Sequence, residues 1–262
     1  MHTQVSLSSI SQLIEGTHEN PSSVLGPHPV DYRGEAAVAV RTFLPEAKAA
    51  WIIDRQSGLR RPMRRLHPAG FFEAICHGEV DERPRADQNV ATGKARTSRY
   101  RIQMTDKAGE IIDMQDPYAA PSIFSSLDRH LIGEGRHHRL YERLGAQPRI
   151  IDDASGVNFA VWAPNAKSVQ VVGDFNNWDG RQHTARALDH LGIWELFIPE
   201  AKVGDKYKYR ILNNQEEWVD KSDPLGFAAE LPPLTASIVS DLHTYQWDDS
   251  AWMANRRDWN LL

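Results

Sequence analysis

The sequence predicts a mainly β protein: two immunoglobulin-like β-sandwiches in tandem, joined by a short helical linker and preceded by a short amino-terminal helix. Three observations predict it. Short runs of alternating apolar and polar residues recur along the chain, each stopped by Pro, Gly or Asn. Helical periodicity is confined to brief stretches. Finally, two strand-rich regions match in order: residues 43–48 with 162–167, 70–73 with 192–195, Tyr100-Arg101-Ile102 with Tyr209-Arg210-Ile211, and Asp116-Pro117 with Asp223-Pro224. Matched order with shared Pro breaks marks two copies of one fold. The inter-sheet disulfide of antibody domains cannot form here, because Cys76 is the single cysteine.

The elements follow in order. Residues 1–19 form an amino-terminal helical segment, with Leu7, Ile10, Leu13 and Ile14 on one side of a helix that Gly16 ends. Residues 20–120 form the first sandwich. Asn20-Pro21 and residues 26–29 make an extended, turn-rich entry, and strands follow at Val38, Val40 and Thr42, at Trp51-Ile52-Ile53, and at residues 70–75. Arg60, Arg61, Arg64 and Arg65 read as a solvated strand face rather than an anion site. Residues 77–97 are polar and read as a long loop, followed by a hairpin around Lys107-Ala108-Gly109. Residues 121–150 form the linker. Ile123, Phe124, Leu127 and Leu131 fall at helical spacing, Ser122 is placed to cap, and Gly133 and Gly135 are placed to stop. His130, His137 and His138 lack metal-site spacing and read as a polar helix end.

Residues 151–243 form the second sandwich. Its cleanest strand is residues 206–212, where Tyr207, Tyr209 and Ile211 share one face and Lys206, Lys208 and Arg210 the other. An aromatic inner face sends Lys208 outward. Residues 244–262 are a tail whose Trp247, Trp252 and Trp259 have too little apolar company to fold alone, so they are expected to pack on something else.

Function concentrates at residues 173–178, Gly-Asp-Phe-Asn-Asn-Trp, after the strand-like Val169-Gln170-Val171-Val172. Two readings of such a turn are open. The flat ring of Trp178 can stack on the C–H face of a sugar while the amides of Asn176 and Asn177 bond its hydroxyls, or the ring can fold back and plug the sheet end. The first sandwich has Asp54-Arg55-Gln56-Ser57-Gly58 at the corresponding place and no aromatic.

Composition narrows the partners. A net charge of −5 and a pI near 6.1 offer no positive field for a nucleic-acid backbone. The sequence shows no leader and no long apolar run, so neither a signal peptide nor a membrane span is expected. With one cysteine, nothing points to an oxidising compartment, and the expectation is a cytoplasmic protein. No cofactor or metal is expected.

Residues 20–28, 133–146 and 173–178 resemble the corresponding stretches of bacterial glycogen branching enzymes, the 1,4-α-glucan branching enzymes. Residues 159–166 are shared more widely among α-glucan-acting enzymes. The resemblance runs over residues 6–262. It implies two amino-terminal β-sandwiches ahead of a (β/α)8 catalytic barrel, the second similar to the starch-binding module also found in the AMP-activated kinase β subunit. That likeness implies a sugar site of Trp178, Lys208 and Trp218. The implied function is that of the non-catalytic part, which binds α-1,4-glucan or glycogen and supports a barrel, in cis or in trans, that forms α-1,6 branches. Retaining transfer of that kind needs a carboxylate pair roughly 5 Å apart, supplied in the family from barrel strand ends. No stretch here resembles those motifs, so catalytic residues are expected to lie outside this chain, which is predicted inactive alone. Asp174 reads as turn chemistry, and Glu195 and Asp220 as solvated strand-edge residues. The alternative is a protein-interaction module without useful glucan affinity.

Overall fold

In the computed structural model, which describes residues 5–77, 100–151, 153–242, 244 and 246–256, helix α1 covers Leu7–Glu15. The Ser6 hydroxyl caps it, accepting from Ser9 N at 3.0 Å, and Gly16 ends it in a left-handed conformation, φ 72°. Ile10 and Leu13 are buried, but Leu7 is 79% exposed, so the apolar stripe is narrower than the spacing predicts. Gly16 is also constrained by proximity. A Cβ there would lie 2.1 Å from Gln170 Nε2, and this close approach lets the Gly16 carbonyl accept from Ser168 Oγ at 2.9 Å.

The first sandwich uses strands β1 Gly26–Tyr32, β2 Glu35–Phe43, β3 Ala47–Asp54, β4 Arg60–Pro62, β5 Arg64–His67, β6 Phe71–His77, β7 Tyr100–Asp106 and β8 Ile111–Met114. They form two antiparallel sheets, β1-β2-β6-β5 and β4-β3-β7-β8. Val40, Ile52, Phe72 and Ile102 fill the space between. β1 replaces the irregular entry that its prolines suggest; at a sheet edge, Pro27 and Pro29 cost no ladder bond that a central strand would need. His77, the first residue of the long polar loop, ends β6, and the rest of that loop lies outside the described residues. The arginine cluster is exposed apart from half-buried Arg61, and two members stack on rings, Arg60 over Trp51 at 3.8 Å and Arg65 over Phe72 at 4.9 Å.

The linker departs from the predicted helix. Helix α2 spans Ser126–Gly133 and is capped by Ser125, whose hydroxyl accepts from Asp128 N at 3.1 Å, while Asp128 accepts from Ser125 N at 2.8 Å. Ile123 and Phe124 precede the helix and are buried, whereas Leu127 is 63% exposed. Asp128 also accepts from the buried His137 ring at 2.8 Å. These bonds and the charge of Arg143 hold its carboxyl low, at about 2, against the opposing cost of burial. No cluster of potential metal ligands occurs among the described residues.

The second sandwich uses β9 Gly145–Ile151, β10 Ala154–Trp162, β11 Ser168–Gly173, β12 Arg186–Leu188, β13 Ile193–Ile198, β14 Lys206–Leu212, β15 Trp218–Lys221, β16 Ala228–Ala229 and β17 Ser237–Ile238. One sheet runs β12-β13-β10-β9; the other runs β11-β14-β17-β16, with β15 also paired to β14. Val157, Phe159, Val171, Leu196, Tyr207 and Tyr209 form the core, which continues through Tyr118 and Phe43 into the first sandwich. Tyr118 donates to the Gln182 carbonyl at 3.1 Å and to the Thr184 carbonyl at 3.2 Å.

The outer face of β10 and β13 is covered by Ile123 and Phe124. Glu195 lies under that cover with no exposure, which corrects its reading as a solvated edge residue. It accepts from Ile123 N at 2.8 Å and pairs with Arg186 at 3.1 Å. Both sandwiches repeat one hydrogen bond: Tyr100 donates to Asp116 and Tyr207 to Asp223, each at 2.6 Å. The equivalent of Tyr100 is therefore Tyr207, two residues before the Tyr209 that sequence matching selects.

Helix α3, Ser250–Asn255, lies in the tail. Trp247 is 78% exposed and Trp252 63%. No helix among the described residues is long and apolar enough to cross a membrane.

Candidate functional site

The turn after β11 is held by its own residues. Gly173 cannot carry a Cβ, which would approach the Lys206 carbonyl to 2.4 Å. Asp174 accepts from Lys206 N at 2.9 Å, a bond to β14 rather than within the turn. Phe175 points inward, its ring 5.4 Å from Phe159 and 5.9 Å from His183. Asn176 accepts from Gly173 N at 2.9 Å and donates to the Val171 carbonyl at 2.8 Å and to His183 Nδ1 at 2.9 Å. Its amide is thus engaged in holding the turn. Burial lowers the pKa of His183 to about 4, so the ring stays neutral and Nδ1 can accept that bond.

Asn177 and Trp178 both adopt positive φ, 51° and 62°. Asn tolerates that region; a bulky Trp there is an outlier, of the kind that clusters at functional positions. Asn177 is exposed and Trp178 half-buried. The Trp178 ring is therefore not sealed inside the sandwich.

Strand β14 has the predicted alternation. Tyr207 and Tyr209 are buried, and Lys208 and Arg210 lie on the other face. Register carries that outer face across to β15: Arg210 stands opposite Asp220, and Leu212 opposite Trp218, which is 38% exposed. Direct cross-strand partners share a face, so Lys208, Arg210, Trp218 and Asp220 form one surface. Over β11 the same face is closed, with Ser168 and Gln170 buried beneath the Gly16 carbonyl. The open part is therefore bounded by the turn and by β14–β15.

Lys208 Nζ donates to Thr235 Oγ1 at 2.8 Å. Arg210 grips Asp220 through Nε at 2.8 Å and Nη2 at 3.0 Å, and its Nη1 reaches the Trp178 carbonyl at 3.4 Å. That pairing lowers the Asp220 pKa and raises that of Arg210. Arg210 ties the turn to the strand pair, a role that sequence reading missed. Its position two residues beyond Lys208 was the available signal. A further indole, Trp162, is 61% exposed on the opposite sheet and lines a cavity of about 450 Å³ with Leu140, Pro224 and Leu225. The inward alternation of Val157, Phe159 and Val161 was the signal for its outward position.

A β-sandwich with an aromatic turn beside an open, polar strand face defines the class. Residues 143–226 match Carbohydrate-binding module 48 (Isoamylase N-terminal domain), and residues 6–118 match alpha-1,4-glucan branching enzyme GlgB, N-terminal domain. The chain is 57% identical over 98% of its length to 1,4-alpha-glucan branching enzyme GlgB of Rhodopirellula baltica, covering 33% of that protein. It is 41% identical over 97% of its length to the enzyme of the same name from Synechococcus elongatus, covering 31%. The chain is the counterpart of the amino-terminal region of 1,4-α-glucan branching enzymes. It spans about a third of the length of the curated relatives it matches. Among solved structures, a pullulanase from Anoxybacillus sp. LM18-11 aligns with 85% of this chain and 28% of its own, at 14% identity and a TM-score of 0.35.

Proposed function

We propose that the second sandwich binds α-1,4-glucan chains of glycogen on the open face bounded by Trp178, Lys208 and Trp218. The observation that carries this reading is the left-handed, half-buried Trp178 beside an outward Lys208 and a cross-strand Trp218. A flat ring offers a stacking platform, and Lys208 supplies a donor for hydroxyls. Asn177 adds a neutral amide, while Asn176 sets the turn that presents it. Binding is expected to be weak, because a shallow aromatic platform buries little and sugars are well hydrated. Native gels containing glycogen test this. Wild type is retarded and Trp178→Ala is not; equal mobility of wild type in glycogen-containing and plain gels contradicts the reading.

The first sandwich and the linker support this module and a catalytic (β/α)8 barrel that forms α-1,6 branches. A cytoplasmic setting accords with glycogen biosynthesis. The chain alone leaves iodine-stained amylose unchanged; a fall in absorbance with new α-1,6 linkages would contradict this. A second reading, docking of a protein partner, is favoured by the exposed Trp247 and Trp252. Adding a separately expressed barrel discriminates: restored branching supports docking of the barrel, and glucan binding without restored branching supports a stand-alone module.

A further inference from the structure

Between the two sandwiches lies a cleft of about 320 Å³, walled on one side by the first sandwich and on the other by the turn that carries Trp178. Its polar lining includes the amides of Gln115 from the first sandwich's exit, Asn176 and Asn177 from the turn and Gln182 just beyond it, with His183 and the Glu200 carboxylate. The side-chain amides of Gln115, Asn177 and Gln182 have no hydrogen-bond partner among the described residues. The neighbouring Asn176 amide, by contrast, is fully engaged. The floor is apolar, with Ile112 37% exposed and Met114 half-buried beside the buried Met104. Apolar walls with a few convergent polar groups and a volume of this size are the usual form of a small-ligand site.

The chemistry of the lining selects a ligand class. A primary amide offers two donors and an acceptor with no net charge. Three such open amides, with the Glu200 carboxylate as a further acceptor, suit a neutral polyol, whose hydroxyls both give and accept, better than an anion. The apolar floor suits the C–H face of a pyranose. The volume admits about one or two sugar rings. Asn177 is adjacent in the chain to Trp178, and neighbouring Cα atoms lie about 3.8 Å apart. A glucan on the Trp178 face is therefore within one residue of the cleft mouth.

We infer that this cleft is a second sugar subsite, in which the first sandwich contributes Gln115 and the two methionines to hold a glucosyl unit of the chain that crosses Trp178. The inference rests on the glucan-binding reading of the second sandwich and extends it, because it makes the first sandwich part of the binding surface.

The test uses the whole chain labelled with 13C at the methionine methyls and 15N at the indoles, titrated with maltoheptaose and followed by NMR. Met104→Leu and Met114→Leu, which nearly conserve volume, assign the two methyls, and Met63 in the first-sandwich core is the internal control. The expected result is a saturable shift of the Met104 and Met114 methyls in step with the Trp178 indole, with Met63 unmoved. Gln115→Leu is expected to weaken maltoheptaose several-fold while leaving the Trp178 response to maltotriose intact. If the Trp178 indole moves and the Met104 and Met114 methyls do not, the cleft subsite is overturned and the glucan platform stands. If no signal moves at saturating sugar, both readings fall together.

Discussion

The side-chain amide of Asn176 donates to Nδ1 of His183 at 2.9 Å, a bond that exists only while the imidazole is neutral. The turn that presents Trp178 is therefore coupled to the protonation of a buried histidine.

The consequence is a defined pH dependence. The pKa of His183 falls from an ordinary 6.5 to about 4 on folding, through burial. The unfolded chain thus binds the proton more readily, and protonation favours unfolding. The stabilisation is fully present above pH 6.5 and is lost progressively as pH falls towards 4, by about 3 kcal/mol in all. Denaturant unfolding between pH 7.5 and 4 measures it, with histidine NMR reporting the site. A His183 titration midpoint near 6.5 in the folded protein would contradict the coupling.

Trp178 stands at φ 62°, where a Cβ-bearing residue is disfavoured by roughly 1–2 kcal/mol relative to glycine. Trp178→Gly and Trp178→Ala remove the same indole, yet the glycine variant is expected to be the more stable by about 1 kcal/mol. Urea midpoints of the two variants settle the sign. If alanine proves equal or better, the left-handed geometry of the turn is wrong.

Glu195 is fully buried and shared between Arg186 and the backbone N–H of Ile123. Truncating it leaves an unpaired cation at the linker–sandwich seam. Glu195→Ala is expected to cost about 3–5 kcal/mol, and Glu195→Gln less, because the amide oxygen still accepts. Equilibrium unfolding provides the comparison. A cost within about 0.5 kcal/mol of zero, the range of an ordinary surface change, would place Glu195 at the solvated edge after all.

Much of the fold was legible because local rules govern it. Ser6 and Gly16 bound α1 as capping chemistry requires, and the alternation in Lys206–Leu212 set which face is buried. What was not legible depends on contacts between distant residues. Strand β9 carries Pro148 and looks like linker until β10 pairs with it. Glu195 looks solvated until residues 123–124 cover it. The exposed face of β14 was predicted, but the grip of Arg210 on Asp220 needed the register of β15. Asn176 and Asn177 are chemically identical in the sequence; only the fold shows one amide used internally and the other left open at the cleft.

The most direct measurement is calorimetric titration of maltoheptaose into wild type, Trp178→Ala and Trp162→Ala, with folding of each confirmed by its unfolding transition. Trp162 serves as the control, being the more exposed indole but on the opposite sheet. The expected result is a loss of about tenfold or more for Trp178→Ala, which corresponds to roughly 1.4 kcal/mol, and wild-type affinity for Trp162→Ala. Unchanged affinity in Trp178→Ala, or a loss confined to Trp162→Ala, would contradict a glucan platform at the turn after β11.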